Sequence, residues 1–75
     1  MKELALFVVK RLVDKPEAVT VEESMDGDVA VLKLNVDESD KGKVIGKQGK
    51  VIKAIRAVVG AAASKAGRQV DVEID

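Results

Sequence analysis

Residues 41 to 56 carry a pattern suited to recognising an anion. They read Lys41-Gly42-Lys43-Val44-Ile45-Gly46-Lys47-Gln48-Gly49-Lys50-Val51-Ile52-Lys53-Ala54-Ile55-Arg56, with six basic residues and no acidic one. Gly46 and Gly49 bracket Lys47 and Gln48. The apolar pair Val44-Ile45 runs into this bracket, and a helical pattern runs out of it. A helix N-terminus presents N–H groups and a partial positive charge. Glycines just before it let another backbone come close. The N–H groups of Gly49 and Lys50 are expected to open the long helix toward a phosphate. Lys47 and Gln48 project as a charge and an amide, and Lys43, Lys50, Lys53 and Arg56 add charge around them. The stretch is built to receive a phosphate backbone.

Other chemistry is poorly provided for. The chain has no cysteine and no histidine, so zinc sites and His-based triads or pairs are excluded by composition. Its carboxylates lie in apparent strands and turns, the ordinary pattern of a solvated surface. No metal or cofactor is expected, and an enzyme lacks its nucleophile and base. Phe7 is the sole aromatic residue, which argues against a sheet that stacks bases. The apolar run from Leu4 to Val9 is too short to span a bilayer and lacks a signal-peptide cleavage site. The cytoplasm is the expected compartment, with no membrane partner. Residues 41 to 70 contain eight Lys and Arg and no acid in a chain of zero net charge. Such polarisation fits a local anion site better than general stickiness.

The elements that must hold the bracket follow from periodicity. Seventy-five residues make one domain, 1–75. Lys2 to Val13 reads as a helix on Leu4, Val8 and Leu12 with Ala5 and Val9 beside them, stopped by Asp14-Lys15-Pro16; Leu6, Phe7 and Val13 widen its apolar arc beyond one neighbour. Ala18 to Ser24 and Val29 to Val36 read as an antiparallel hairpin around Met25-Asp26-Gly27-Asp28. Val19 and Val21 face inward with Ala30, Leu32, Leu34 and Val36. Asp37 to Asp40 supplies N-cap candidates for a short helix from Ser39 to Ile45. Gly42 within it marks a tight contact or an early end. Lys50 to Ala66 is the longest helix, with a stripe of Val51, Ile55, Val58, Val59 and Ala62 broadened by Ile52, Ala54, Ala63 and Ala66, and Gly67 as its C-cap. Arg68 to Ile74 is the last strand, with Val70, Val72 and Ile74 inward; pattern alone leaves its sense open. The class is α+β in the order α-β-β-α-α-β, a three-stranded sheet with three helices on one face.

Three phosphate motifs can be set against the bracket. A Walker loop needs different glycine spacing and a Ser or Thr where Gln48 stands, and a dinucleotide fingerprint needs Gly-x-Gly after a strand. The third, Gly-x-x-Gly between two helices, is the KH loop that clamps single-stranded nucleic acid. Here it comes with Val44-Ile45 before it, Lys47-Gln48 inside it and Lys50-x-Ile52-x-x-Ile55 after it. The chain resembles a type II KH domain over essentially its whole length. The run Val36 to Gly49 is similar to the small bacterial single-KH proteins of the KhpA (YlqC) family. The resemblance implies a bacterial RNA chaperone or post-transcriptional regulator, paired with itself or with a larger KH protein, KhpB (Jag or EloR).

The expected RNA site is Lys43, Val44, Ile45, Gly46, Lys47, Gln48, Gly49, Lys50, Ile52, Lys53 and Arg56. Val44, Ile45 and Ile52 would floor a groove for unstacked bases; for Val44 and Ile52, core packing is an equal reading. A dimer surface is expected at Ala57, Val58, Gly60, Ala61 and Ser64, whose small side chains permit close approach. The competing reading puts that edge under another helix of the same chain. The alternative function is a protein–protein module whose dimer surface matters more than RNA.

Overall fold

The computed structural model describes all residues from Met1 to Asp75. Its elements are α1 (Lys2–Lys10), β1 (Thr20–Asp26), β2 (Val29–Asn35), α2 (Lys41–Ile45), α3 (Lys50–Lys65) and β3 (Gln69–Ile74). Short 3-10 turns at Pro16–Ala18, Glu38–Asp40 and Lys47–Gly49 join them. The order is the expected α-β-β-α-α-β. No helix is long and apolar enough to cross a membrane.

The sheet runs β1-β2-β3. β1 and β2 are antiparallel, with Asp26 opposite Val29, so the turn is Gly27-Asp28 alone rather than four residues. Gly27 has φ +61° and Asp28 does not have positive φ. That is the backbone a two-residue II′ hairpin requires, with glycine first. β3 lies parallel to β2, with Leu32 opposite Val72, which settles the sense that pattern left open. A parallel partner requires a crossover, and here the crossover is α2, the bracket and α3. One core forms from Ala5 and Val9 of α1, Val21, Leu32, Leu34 and Val72 of the sheet, Val44 of α2, and Ile52, Ile55 and Val59 of α3. The opposite sheet face exposes Glu22, Lys33 and Glu73 in one row.

In both long helices the buried face falls within the expected apolar arc but to one side of its stripe. α1 buries Ala5 and Val9, not the Leu4-Val8-Leu12 row. α3 buries Ile52, Ile55, Val59 and Ala63, while Val58 is exposed and Val51 and Ala62 are half-buried. In each helix the apolar arc is broad enough to fit more than one face. α1 also stops at Lys10, where the Arg11 N–H donates to the Val8 carbonyl and the Leu12 N–H to that of Val9. Leu12 and Val13 therefore lie beyond it. β1 begins at Thr20 rather than Ala18, because Pro16 opens a 3-10 turn that includes Ala18.

The approach to α2 is built by carboxylates. Asp37 accepts the Ser39 N–H at 3.0 Å and the Ser39 hydroxyl at 2.6 Å. The Ser39 hydroxyl, and then its N–H, hold the Asp37 carboxyl below the usual carboxylate range. Asp40 makes no side-chain cap. It is 1% exposed and accepts the N–H groups of Asp14 at 3.1 Å and Lys15 at 3.0 Å. The α1–β1 connection is thereby tied to α2 across some 25 residues.

Candidate nucleic-acid interface

α2 ends at the bracket because its last N–H, from Gly46, reaches back to Gly42 O at 2.8 Å and the next backbone turns away. Gly46 has φ +75° and ψ 171°. A Cβ there would lie 2.4 Å from Val51 Cγ2 and 2.8 Å from the Val51 N, so only glycine allows the start of α3 to lie this close. Gly49 has φ +74° and room for a side chain; its backbone angle is what favours glycine. Gly42 meets nothing within 4 Å of a built Cβ, so it makes no tight contact; it lies in the first turn of a five-residue helix that ends at Gly46.

Lys47 and Gln48 are both exposed at the tip. Gln48 has φ +57° and ψ 27°, the one positive φ outside glycine. The N–H groups behind the tip are already used. Gly49 N–H donates to Gly46 O at 3.1 Å, and Lys50 N–H donates to Lys47 O. The expectation that these two groups aim at a phosphate is therefore corrected: a 3-10 turn uses them to close the loop.

The cations divide into two sets. Lys43 Nζ is bonded to the Asp14 carboxylate and lies 3.9 Å from that of Asp40. The bond to Asp14 raises the Lys43 pKa above its usual value. Lys43 is thus held in the knot that ties α2 to the α1–β1 connection. Lys41 pairs with Glu38 at 3.3 Å. Arg56 donates from Nε to the Val72 carbonyl at 2.7 Å, so its guanidinium is turned to β3. Lys47, Lys50 and Lys53 are exposed and take part in none of the ion pairs.

The apolar residues divide as well. Ile45 is 37% exposed, whereas Val44 is 0% and Ile52 6% exposed. Val44 and Ile52 belong to the core and support the bracket from beneath; only Ile45 offers surface beside the tip. An apolar groove of about 320 Å³ lies between α1 and α3, lined by Val8, Leu12, Val51, Ala54, Ile55 and Val58 with Lys50 at its rim. Its signal in the sequence is the apolar arc of α1, too wide for one neighbour.

The surface expected to pair is open. Ala57, Ala61 and Ser64 are exposed, Gly60 is half-buried and Val58 is 51% exposed. A Cβ on Gly60 would meet nothing within 4 Å. This edge is not covered by another helix of the same chain.

A family model described as KhpA/KhpB, KH domain, matches residues 2–74. The chain belongs to the KhpA/KhpB KH-domain family. The RNA-binding protein KhpA of Clostridium perfringens is 54% identical over 74 residues, 99% of each chain. That of Clostridium acetobutylicum is 49% identical over 74 residues, again 99% of each. Among solved structures, an Aquifex aeolicus Era variant bound to GDP and AlF4 is similar with a TM-score of 0.72 at 25% identity. Era in complex with MgGDPNP and nucleotides 1506–1542 of 16S ribosomal RNA is similar with a TM-score of 0.71 at 24% identity, a likeness of fold alone. Each match covers 97% of this chain but 28% of the Era chain, so the likeness is to one portion of Era. The KhpA relatives, by contrast, are matched end to end.

Proposed function

We propose that this KhpA/KhpB-family domain is a non-catalytic RNA-binding module. It clamps a short single-stranded run at the Gly46–Gly49 bracket and acts in the cytoplasm as an RNA chaperone or post-transcriptional regulator. The observation that carries the reading is the exposed Lys47-Gln48 tip. It is set by glycines that the backbone requires, and Lys50 and Lys53 stand unpaired behind it. The RNA-binding names of relatives matched over 99% of their length support it. Lys47, Lys50 and Lys53 supply phosphate contacts, Gln48 a hydrogen-bonding amide, and Ile45 an apolar rest for an unstacked base.

The test is Lys47→Asp with Gln48→Asp, which removes one cation and adds two anions at an exposed tip. Surface changes of this kind cost little stability, while like charges forced together at an interface cost several kcal/mol. Unchanged melting with lost RNA binding is expected. With three lysines engaged, wild-type log K should fall against log salt with a slope of about −2. A slope near zero, or full binding by the folded double variant, sinks the reading.

A second feature favours a paired molecule. The α3 edge of Ala57, Val58, Gly60, Ala61 and Ser64 is open, apolar and small, and fits either a second copy or a KhpB-type partner. In the stronger form of this reading the surface matters more than RNA. RNA affinity that survives loss of pairing argues against that form.

A further inference from the structure

Arg56 closes the run of cations that begins at Lys41, and its place one turn beyond Lys53 invites a further phosphate contact. Its Nε is engaged elsewhere. The 2.7 Å bond from Nε to the Val72 carbonyl is the only side-chain hydrogen bond between α3 and the sheet. Val72 sits at the middle of β3, an edge strand. The Asp75 N–H donates to Leu34 of β2 at 3.0 Å. By alternation, the backbone groups of Asp71 and Glu73 also face β2, and those of Val70, Val72 and Ile74 face away. The Val72 carbonyl therefore has no strand partner, and Arg56 takes that place. The Val72 N–H is taken by the Asp71 carboxylate at 2.9 Å.

The Val72 side chain is 1% exposed and packs in one cluster with Ile55 and Val59 of α3. Apolar contact sets the spacing of helix and strand but has no direction, whereas a hydrogen bond does. Lys53 and Lys50 precede Arg56 by three and six residues on the same helix. Any rotation of α3 on β3 is passed to them, and a binding constellation must be held to within about 0.5 Å. We propose that Arg56 is a positioning residue of the RNA site: it fixes the rotation of α3 on β3, and with it the places of Lys50 and Lys53, and it touches no phosphate. This rests on the reading of the bracket as the RNA site.

The experiment titrates a short single-stranded RNA, over a range of salt, into wild type, Arg56→Ala, Lys53→Ala and the Lys47→Asp, Gln48→Asp variant. Loss of one phosphate contact makes the slope of log K against log salt shallower by about 0.7. Lys53→Ala should show that change. Arg56→Ala should bind about tenfold more weakly, the effect of one lost charged hydrogen bond, with the wild-type slope. Side-chain NMR of nitrogen-labelled wild type should find the Arg56 Nε–H in one environment before and after RNA saturates the protein. A shallower slope in Arg56→Ala, wild-type affinity in that variant once shown to be folded, or an Nε–H that moves on RNA addition overturns the proposal. If Arg56→Ala melts below the assay temperature, the NMR result on wild type decides. A wild type that does not bind, or a tip variant that binds normally, overturns the bracket reading and this proposal together. Tip-dependent binding with a slope change in Arg56→Ala overturns this proposal alone.

Discussion

Gln48 is the residue at which local strain and exposure coincide. Its φ of +57° is a conformation that costs a residue with a Cβ about 1–2 kcal/mol. A loop that only had to turn would carry glycine there. Strain of this kind gathers at ligand-binding positions, and here it presents a long amide at the tip of the bracket. Gln48→Gly should therefore raise the melting temperature by about 4–8 °C, the effect of about 1 kcal/mol in a domain this small, and weaken RNA binding. Calorimetry and an RNA titration on the same sample check it; binding as tight as wild type would remove the amide from the site. The backbone turns at Gly46 and Gly49 and the exposure of Lys47 and Gln48 were legible in the sequence because they depend on immediate neighbours. Lys43 and Arg56 were not. Their partners, Asp14 and Val72, stand 29 and 16 residues away, and no spacing rule reports a tertiary partner. Lys43 and Arg56 looked equivalent to Lys50 and Lys53 until the fold engaged them.

The elements were legible in kind and order but not in rotation. The hydrophobic arcs of α1 and α3 are wide enough to fit several faces, so apolar spacing could not choose Ala5 over Leu4 or Ile52 over Val51. Packing into the one shared core chose them. Asp40 shows the same limit. An acid ahead of a helix reads as a cap, yet its carboxylate is enclosed and receives two N–H groups from the α1–β1 connection. Asp40→Ala would leave both donors without that partner and Lys43 with Asp14 alone. The expected cost is about 1–3 kcal/mol, read by urea denaturation, and most of it should persist in a background where Lys43 is already neutral. A change within a few tenths of wild type would mean that water replaces the carboxylate at little cost.

At the scale of the whole molecule, charge and shape separate. Lysines 47, 50 and 53 lie about the bracket, while the outer sheet face carries Glu22, Asp26, Asp71 and Glu73 against a single lysine, Lys33, itself 3.5 Å from Asp75. The open edge of α3 lies one to three turns beyond Lys53 on the same helix. A bulky side chain at its one large apolar residue, as in Val58→Trp, should shift the solution mass toward that of a monomer and lower the melting temperature by the stabilisation that pairing supplies; a wild type that is monomeric at high concentration ends the pairing idea. The parallel seat of β3 beside β2 has a further consequence for how binding is felt. β3 can join β2 only after the chain has passed through α2, the bracket and α3, so the whole candidate site is a loop closed by that strand pair. Detaching β3 opens the loop, and a bracket held by RNA resists the opening by mass action, about 2.7 kcal/mol at a hundredfold excess over Kd. Backbone amides of β3 that pair with β2 should then exchange with solvent about a hundredfold more slowly when RNA is bound, although no β3 residue touches it. Slowing confined to the bracket would instead mark β3 as a strand that opens independently of its site.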